Sequence, residues 1–116
     1  MFIPQLLLQA QGTLDNVALI TDGRFSNLGS GFCISHIGPE AALGGPIGLV
    51  KDGDIIAITI KEDIISVDLS NEELEARRRL WKPREPLFLS AAGSKYKKLV
   101  SSANKGAVTH EGYNLN

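Results

Sequence analysis

Apolar residues along the chain fall in short runs separated by turn formers, so the pattern predicts many small elements rather than a few long ones. After Pro4, the residues Leu6, Leu7, Leu8 and Ala10 predict a short helix packed on a core, with Gly12 as its stop. Asn16 to Ile20 predicts a buried strand and Phe32 to Ile37 a second one. Between them, Thr21 to Gly31 has no two adjacent apolar residues and several turn formers. It is therefore a loop, in which Gly29 and Gly31 are free to take positive φ. In GPEAALGGP, residues 38–46, Pro39 can open a short helical turn that Gly44-Gly45-Pro46 closes. Ile47 to Val50 then predicts a strand, Lys51-Asp52-Gly53-Asp54 a turn, and Ile55 to Ile60 another strand. Lys61-Glu62-Asp63 turns again into residues 64–69, where Ile65, Val67 and Leu69 alternate with Ser66 and Asp68. These last two strands are expected to form a meander.

The C-terminal part reads as helical. Ser70 followed by Glu73 has the capping-box spacing, in which each side chain satisfies the other residue's backbone N–H, and a helix should run from there to about Trp81. Lys82-Pro83-Arg84-Glu85-Pro86 cannot continue it, because each proline lacks an N–H and biases its predecessor to extended geometry. From Ser90, the positions of Ala91, Tyr96, Leu99, Val100 and Ala103 predict a last helix ending at Gly106, with residues 107–116 as a frayed tail. Short strands in the middle and helices at both ends predict an α/β domain with a sheet or partial barrel flanked by helices.

Composition limits what such a chain can do. With 116 residues, 43% hydrophobic and 22% charged, it fits one domain spanning 1–116. Twelve basic and 13 acidic side chains give a formal net charge of −1, so no global field favours nucleic acid or an anionic membrane. The single Cys33 excludes an intrachain disulfide and any all-cysteine metal or iron–sulfur site built by this chain alone, and it fits a reducing, cytoplasmic setting. The start MFIPQLLLQAQG has no basic n-region, and Pro4, Gln5 and Gln9 break its apolar run, so it reads as neither signal nor anchor. Its immediate hydrophobic opening suggests a part of something longer.

Several stretches invite chemistry. The glycines near 29–31 suggest a phosphate loop, but neither G-x-x-x-x-G-K-[ST] nor G-x-G-x-x-G is present, and a strand follows where a helix is required. A G-x-S-x-G elbow is absent, because Arg24 and Leu28 flank Ser26 where glycines belong. His36 and Glu40 lie four apart, a metal-ligand spacing on a helix; with Gly38 and Pro39 between them, a strand-end histidine and a helix-start glutamate near the positive dipole end is the simpler reading. Cys33 within FCI reads as a small buried hydrophobe. EELEARRR reads as a solvated helix face with pairs such as Glu73 with Arg77, and Lys95, Lys97 and Lys98 as solvated charges. In TDGRFS, a serine on a rigid loop near Asp22 and Arg24 suits carboxylate binding, a base or a nucleophile, or simply the cap of a turn.

Taken together, VALITDGRFS, GSGFCISHIGPEAALGGPIGLVKDGDII, SNEELEARRRLWKP and YKKLVSSANKGAVT closely resemble the C-terminal domain of the dihydroxy-acid dehydratase and phosphogluconate dehydratase family, over nearly the whole chain. The arginine-rich WKP helix end and the LVSSANKGAVT tail look more like the dihydroxy-acid branch. The resemblance implies a swivelling β/β/α domain with a barrel-like, mainly β core that closes over a larger N-terminal domain. That domain would hold an iron–sulfur cluster and Mg2+, with the active site between the two and the full enzyme a homodimer. It implies that Ser26 acts as the base that takes the C2 proton of a 2,3-dihydroxy acid. A cluster iron would act as Lewis acid on the departing 3-hydroxyl, and the enol would tautomerise to a 2-keto acid of branched-chain amino acid biosynthesis. Arg24, Gly29, Ser30 and Gly31 would bind substrate. Where the family usually shows Gly-Gly-Thr-Ser-Gly, this chain has Asn27, Leu28, Gly29, Ser30 and Gly31. The cluster cysteines and a metal-ligating glutamate of the family lie outside this chain, so alone it is expected to bind neither cofactor and to be inactive. The competing expectations are a non-catalytic binding module on the same scaffold, a sugar-acid dehydratase fragment, and a free-standing swivelling domain with phosphate chemistry at an exposed His36.

Overall fold

A computed structural model describes residues 3–25, 31–85 and 90–110. The chain forms α1 (Ile3–Ala10), β1 (Ala18–Ile20), β2 (Phe32–Ile34), β3 (Ile56–Thr59), β4 (Ile64–Val67), α2 (Asn71–Leu80) and α3 (Ala91–Leu99), with short 3-10 turns between them. The fold is mixed α/β. β1 and β2 pair in parallel, with Ala18 opposite Phe32 and Ile20 opposite Ile34. β3 and β4 form the expected antiparallel meander, with Ile56 opposite Val67 and Ile58 opposite Ile65. Among the described residues these are two separate two-stranded sheets, not the closed or partial barrel expected from the run of short strands.

The reason is visible in the elements that differ from expectation. Ile47 to Val50 is no strand: Pro46–Leu49 winds as a 3-10 turn with Pro46 in its first position, where the fixed φ and missing N–H suit a helical start. Leu49 is buried, and its carbonyl accepts from Arg77 Nη1 at 3.0 Å rather than from a neighbouring strand. The first expected strand loses its front to a 3-10 turn at Leu14–Asn16. The second stops at Ile34, two residues before His36 takes a left-handed φ of 59°. The last helix stops at Leu99 and resumes only as the turn Ala103–Lys105. Continuing it would require the Ala103 N–H to bond the Leu99 carbonyl; a carboxylate takes that N–H instead, and Ser101 Oγ accepts from Val108 N–H at 3.0 Å. The Ser101 N–H also donates to the Val108 carbonyl at 2.8 Å, so residues 101–108 close on themselves. Residues 111–116 of the expected tail lie outside the described residues.

Helix starts follow sequence more closely. Ser70 Oγ accepts from Glu73 N–H at 3.2 Å, and Ser90 Oγ accepts from Gly93 N–H at 3.0 Å, each satisfying an otherwise orphaned donor. Only half of the capping box forms at Ser70, because the Glu73 carboxylate accepts from Arg77 Nε at 2.7 Å. Arg77 is also more than a solvated charge. Its guanidinium grips Asp54 through Nη1 and Nη2, and the two side chains are only 11% and 10% exposed. Asp54 in turn accepts from Lys51 N–H at 2.7 Å, closing the Lys51–Asp54 turn that leads into β3.

The apolar core is small: Leu14 and Leu49 are its buried hydrophobic members among the described residues, while Ile3, Leu43, Ile60 and Leu80 are each at least 66% exposed. Gly31, with φ +105°, brings the backbone so near Leu14 that a Cβ would lie 2.7 Å from Leu14 Cγ. Between the two sheets, Ile20, Ile37, Ile56, Ile65, Val67 and Leu74 line an apolar cavity of about 320 Å³.

The Arg77 hydrogen bond, followed by that from Lys51 N–H, holds the Asp54 carboxyl at about 2, below its ordinary 3.8. A carboxyl whose folded pKa is depressed stabilises the fold above its unfolded pKa, and that contribution fades as pH falls through the window from 3.8 towards 2. Asp54→Asn should therefore lower the urea midpoint at pH 7 and flatten the acid limb of stability below pH 3.8. Urea titrations of both proteins across that window check it; superimposable acid limbs would count against the tie.

Candidate functional site

Beyond β1 the chain does not simply become loop. The parallel ladder continues, with Thr21 N–H donating to the Ile34 carbonyl at 3.0 Å, His36 N–H to the Gly23 carbonyl at 3.0 Å, and Ile37 N–H to the Thr21 carbonyl at 3.3 Å. Thr21 is buried, and its hydroxyl accepts from Gly23 N–H at 3.0 Å, a short side-chain turn that aims Arg24 and Phe25 onward. The backbone of residues 21–23 is thus pinned along the edge that faces residues 34–37. Ser26, Gly29 and Ser30, three of the residues expected to form the site, lie outside the described residues. Arg24 and Gly31, the other two, flank that gap.

Side chains from sequence-distant turns complete the frame. Asp22 Oδ2 accepts from Ala41 N–H at 2.8 Å, joining the serine loop to the turn Ala41–Leu43. Glu40, one residue before, turns the other way. Its Oε1 accepts from Ser102 Oγ and from Ala103 N–H, both at 2.6 Å, and so joins the same turn to the C-terminal turn Ala103–Lys105. Arg24 Nη2 donates to the Gly106 carbonyl at 3.3 Å and closes the circuit from the serine loop to the C-terminal turn. The Ser102 hydroxyl and then the Ala103 N–H hold the Glu40 carboxyl below the usual glutamate value, since both bond the charged form. Its other oxygen, Oε2, is shielded from solvent and has no hydrogen-bond partner among the described residues.

α2 supports this frame from behind. Arg78 Nη1 donates to the Gly44 carbonyl at 3.3 Å, Arg77 holds the Leu49 carbonyl, and the Trp81 ring lies where a Gly44 Cβ would be 3.4 Å from it. Gly44 ends the turn at φ +74°, and Gly45 passes so close beneath it that a Cβ there would fall 1.8 Å from the Pro39 carbonyl oxygen. The tight folding of PEAALGG sends Glu40 and the Ala41 N–H to opposite neighbours.

The His36–Glu40 spacing does not make a ligand pair here: Glu40 is taken by Ser102 and Ala103, while His36 is exposed with left-handed backbone. The expectation of a glutamate near a positive dipole end does find its chemistry, but at the turn after Ser102 rather than at the Pro39 turn itself. Cys33 is half-buried, with Gln5 Nε2 3.8 Å from its sulfur. Among the described residues no group of three or more His, Cys, Asp and Glu stands close enough to hold a metal ion. No described helix is long and apolar enough to cross a membrane. Asp22, Glu40 and Ser102 make the cross-chain ties that the sequence pattern did not assign; the Ser-Ser pair breaking a helical pattern at 101–102 was the available signal.

The described residues thus define a small α/β domain in which side-chain hydrogen bonds tie the segment after β1 to two turns distant in sequence. The chain belongs to the dihydroxy-acid/6-phosphogluconate dehydratase C-terminal family, whose family model matches residues 1–107. It is 56% identical over 105 residues to a dihydroxy-acid dehydratase of Parvibaculum lavamentivorans, a match covering 90% of this chain and 18% of that protein. It is 47% identical over 112 residues to the dihydroxy-acid dehydratase of Trichodesmium erythraeum, covering 97% of this chain and 20% of that one. For the Clostridium kluyveri dihydroxy-acid dehydratase the figures are 46% over 108 residues, 93% and 19%. The chain thus spans about a fifth of the length of the curated relatives it matches.

Gly45→Ala should destabilise the chain by about 3 kcal/mol or more, because the obstacle is backbone that also places Glu40. Gly53→Ala, at φ +92° with nothing within 4 Å, should cost only the strain of left-handed backbone, about 1–2 kcal/mol. Paired chemical denaturation measures the difference; equal losses would refute the close approach at Gly45.

Proposed function

We propose that the chain is the C-terminal, substrate-closing part of a hydro-lyase that converts a 2,3-dihydroxy acid to a 2-keto acid in branched-chain amino acid biosynthesis, and that Ser26 is its base. The observation that carries this reading is 56% identity over 90% of the chain to a protein named dihydroxy-acid dehydratase. On this reading the domain is of the swivelling β/β/α kind, the remainder of a cytoplasmic, homodimeric enzyme supplies the facing wall, and that remainder holds the iron–sulfur cluster and Mg2+. When bound there, those groups supply the Lewis acidity that the described residues lack.

The chemistry asked of this chain is narrow. Removing the C2 proton as the C3–OH bond breaks yields an enol and water, and the enol becomes the 2-keto acid by tautomerising. A serine hydroxyl is a very weak base near neutral pH, so its deprotonated form must be favoured by positive charge and donors at the closed site. Arg24 supplies a guanidinium two residues away, and Gly31, at φ +105°, brings the far end of the loop close against Leu14 without a side chain. On this reading Gly29, Ser30 and Gly31 bind the substrate carboxylate through their backbone N–H groups. A base must approach from one geometry, and the Thr21–Ile37 ladder and the Asp22 tie fix the backbone that leads to it.

The test supplies the chain together with the N-terminal remainder of the Parvibaculum lavamentivorans relative and follows 2-keto acid formation from a 2,3-dihydroxy acid. Activity should appear only with both parts, and Ser26→Ala should reduce it by at least about 100-fold, the usual contribution of a positioned base. Activity that survives Ser26→Ala would remove the serine from the reaction.

A further inference from the structure

We infer that Glu40 is a positioning residue for Arg24 and Phe25 at the head of the serine loop, acting through the C-terminal turn. The inference rests on the reading above only in naming what the loop is for. Three segments far apart in sequence meet at this point, and each pair of them shares a side-chain hydrogen bond. Asp22 joins the serine loop to the turn at Ala41, Glu40 joins the Pro39–Ala41 corner to Ser102 and Ala103, and Arg24 joins the serine loop to Gly106. A closed circuit of this kind holds its members in one geometry, whereas any two ties alone would leave a hinge. Of the three, Glu40 carries two short bonds to one oxygen, both charge-assisted.

The C-terminal turn depends on that carboxylate. Val100 is already extended, with φ −65° and ψ 130°, so the Ala103 N–H has left the preceding helix and Glu40 is its partner. Ser102, the residue before the turn, makes no cap bond of its own there, because its hydroxyl donates to Glu40. Without Glu40, a part-buried N–H and a hydroxyl lose their partner together, and the Gly106 carbonyl that receives Arg24 is left to the local bonds of residues 101–108. The loop end carrying Arg24 then loses its abutment. Gly38 adds to the fit: a Cβ there would lie 3.1 Å from the Asn104 amide, so the corner and the turn also touch directly.

Glutamine keeps an acceptor for Ser102 and Ala103 but puts an unpaired NH2 in the shielded place of Oε2, and alanine removes the acceptor altogether. The effect should therefore grow from Glu40→Gln to Glu40→Ala. Amide hydrogen exchange on the whole chain reads it. In Glu40→Ala, the Ala103 amide should exchange at least about tenfold faster, and the acceleration should extend to Arg24 and Phe25 while Ile58 and Ile65 in the β3–β4 pair keep their rates. Adding Arg24→Ala should abolish the part seen at Phe25, because the two substitutions cut the same circuit. If Glu40→Ala unfolds the chain, Ser102→Ala, which removes one donor and leaves the carboxylate, serves in its place with the same pattern at lower amplitude. Acceleration confined to 101–108, or spread equally into β3–β4, overturns the proposal. In the two-part enzyme, Glu40→Ala should lower kcat more than it raises KM, as expected when a base is misplaced while substrate binding is retained. Should Ser26→Ala leave activity intact, the function reading fails while the exchange pattern still decides the role of Glu40.

Discussion

The hydrogen bond from the Ala41 N–H to the Asp22 carboxylate is the interaction on which the rest of the site depends. It joins the end of a two-stranded parallel ladder to a turn 19 residues on, at the point where neither has regular structure to offer. Backbone N–H groups in such irregular segments still need partners, and a buried one left unpaired is costly. The chain solves this repeatedly with acidic side chains: Asp22 for Ala41, Glu40 for Ala103, and Asp54 for Lys51. In each case the carboxylate sits where successive N–H groups open a turn, and ionised oxygen makes a shorter, stronger bond than a neutral acceptor. α2 then locks the same turns from the carbonyl side, with Arg77 on Leu49 and Arg78 on Gly44.

This polar framework matters because the apolar one is thin. The accessible surface is 9294 Å², whereas a self-contained domain of this mass exposes roughly 6,200 Å². Correspondingly, the radius of gyration is 16.5 Å, against about 13.4 Å for a compact domain of this length. The cavity between the two sheets and the exposed Ile3, Leu43, Ile60 and Leu80 are the local form of the same excess. Burial alone therefore cannot hold residues 21–25 in place. Directional bonds can, because each fixes an angle as well as a distance.

Much of the scaffold was legible in sequence. The β3–β4 meander, the serine-capped start of α2, the helical run after Ser90 and the glycine stop near the first helix all come from local signals: alternation, Ser before a helical run, helical spacing of apolar residues, Gly after a helix. The family was legible too, in the run from Thr21 to Ile56. What failed was whatever depends on a partner distant in sequence. Ile47 to Val50 looks like a strand until Pro46 and the pull of Arg77 on Leu49 are seen. The last helix looks continuous to Gly106 until Glu40 claims the Ala103 N–H, 63 residues away. EELEARRR looks uniformly solvated, yet one of its three arginines turns inward to Asp54. Glu40 itself invites comparison only with His36, its neighbour in sequence, whereas both of its partners lie at the far end of the chain.

Glycine serves the chain in two physically different ways. Gly53 needs only its left-handed φ, and another residue there would meet empty space. Gly45 and Gly31 need the absence of a side chain, one beneath the Pro39 carbonyl and the other against Leu14. Both of the latter flank the serine loop's supports, Gly45 below the corner that carries Glu40 and Gly31 at the loop's far end. Close backbone approach is the means by which a domain with so little core can still bring three turns within one hydrogen bond of each other. The supports at either end of the loop therefore depend on atoms that are missing at two glycines as much as on the carboxylates that bond nearby.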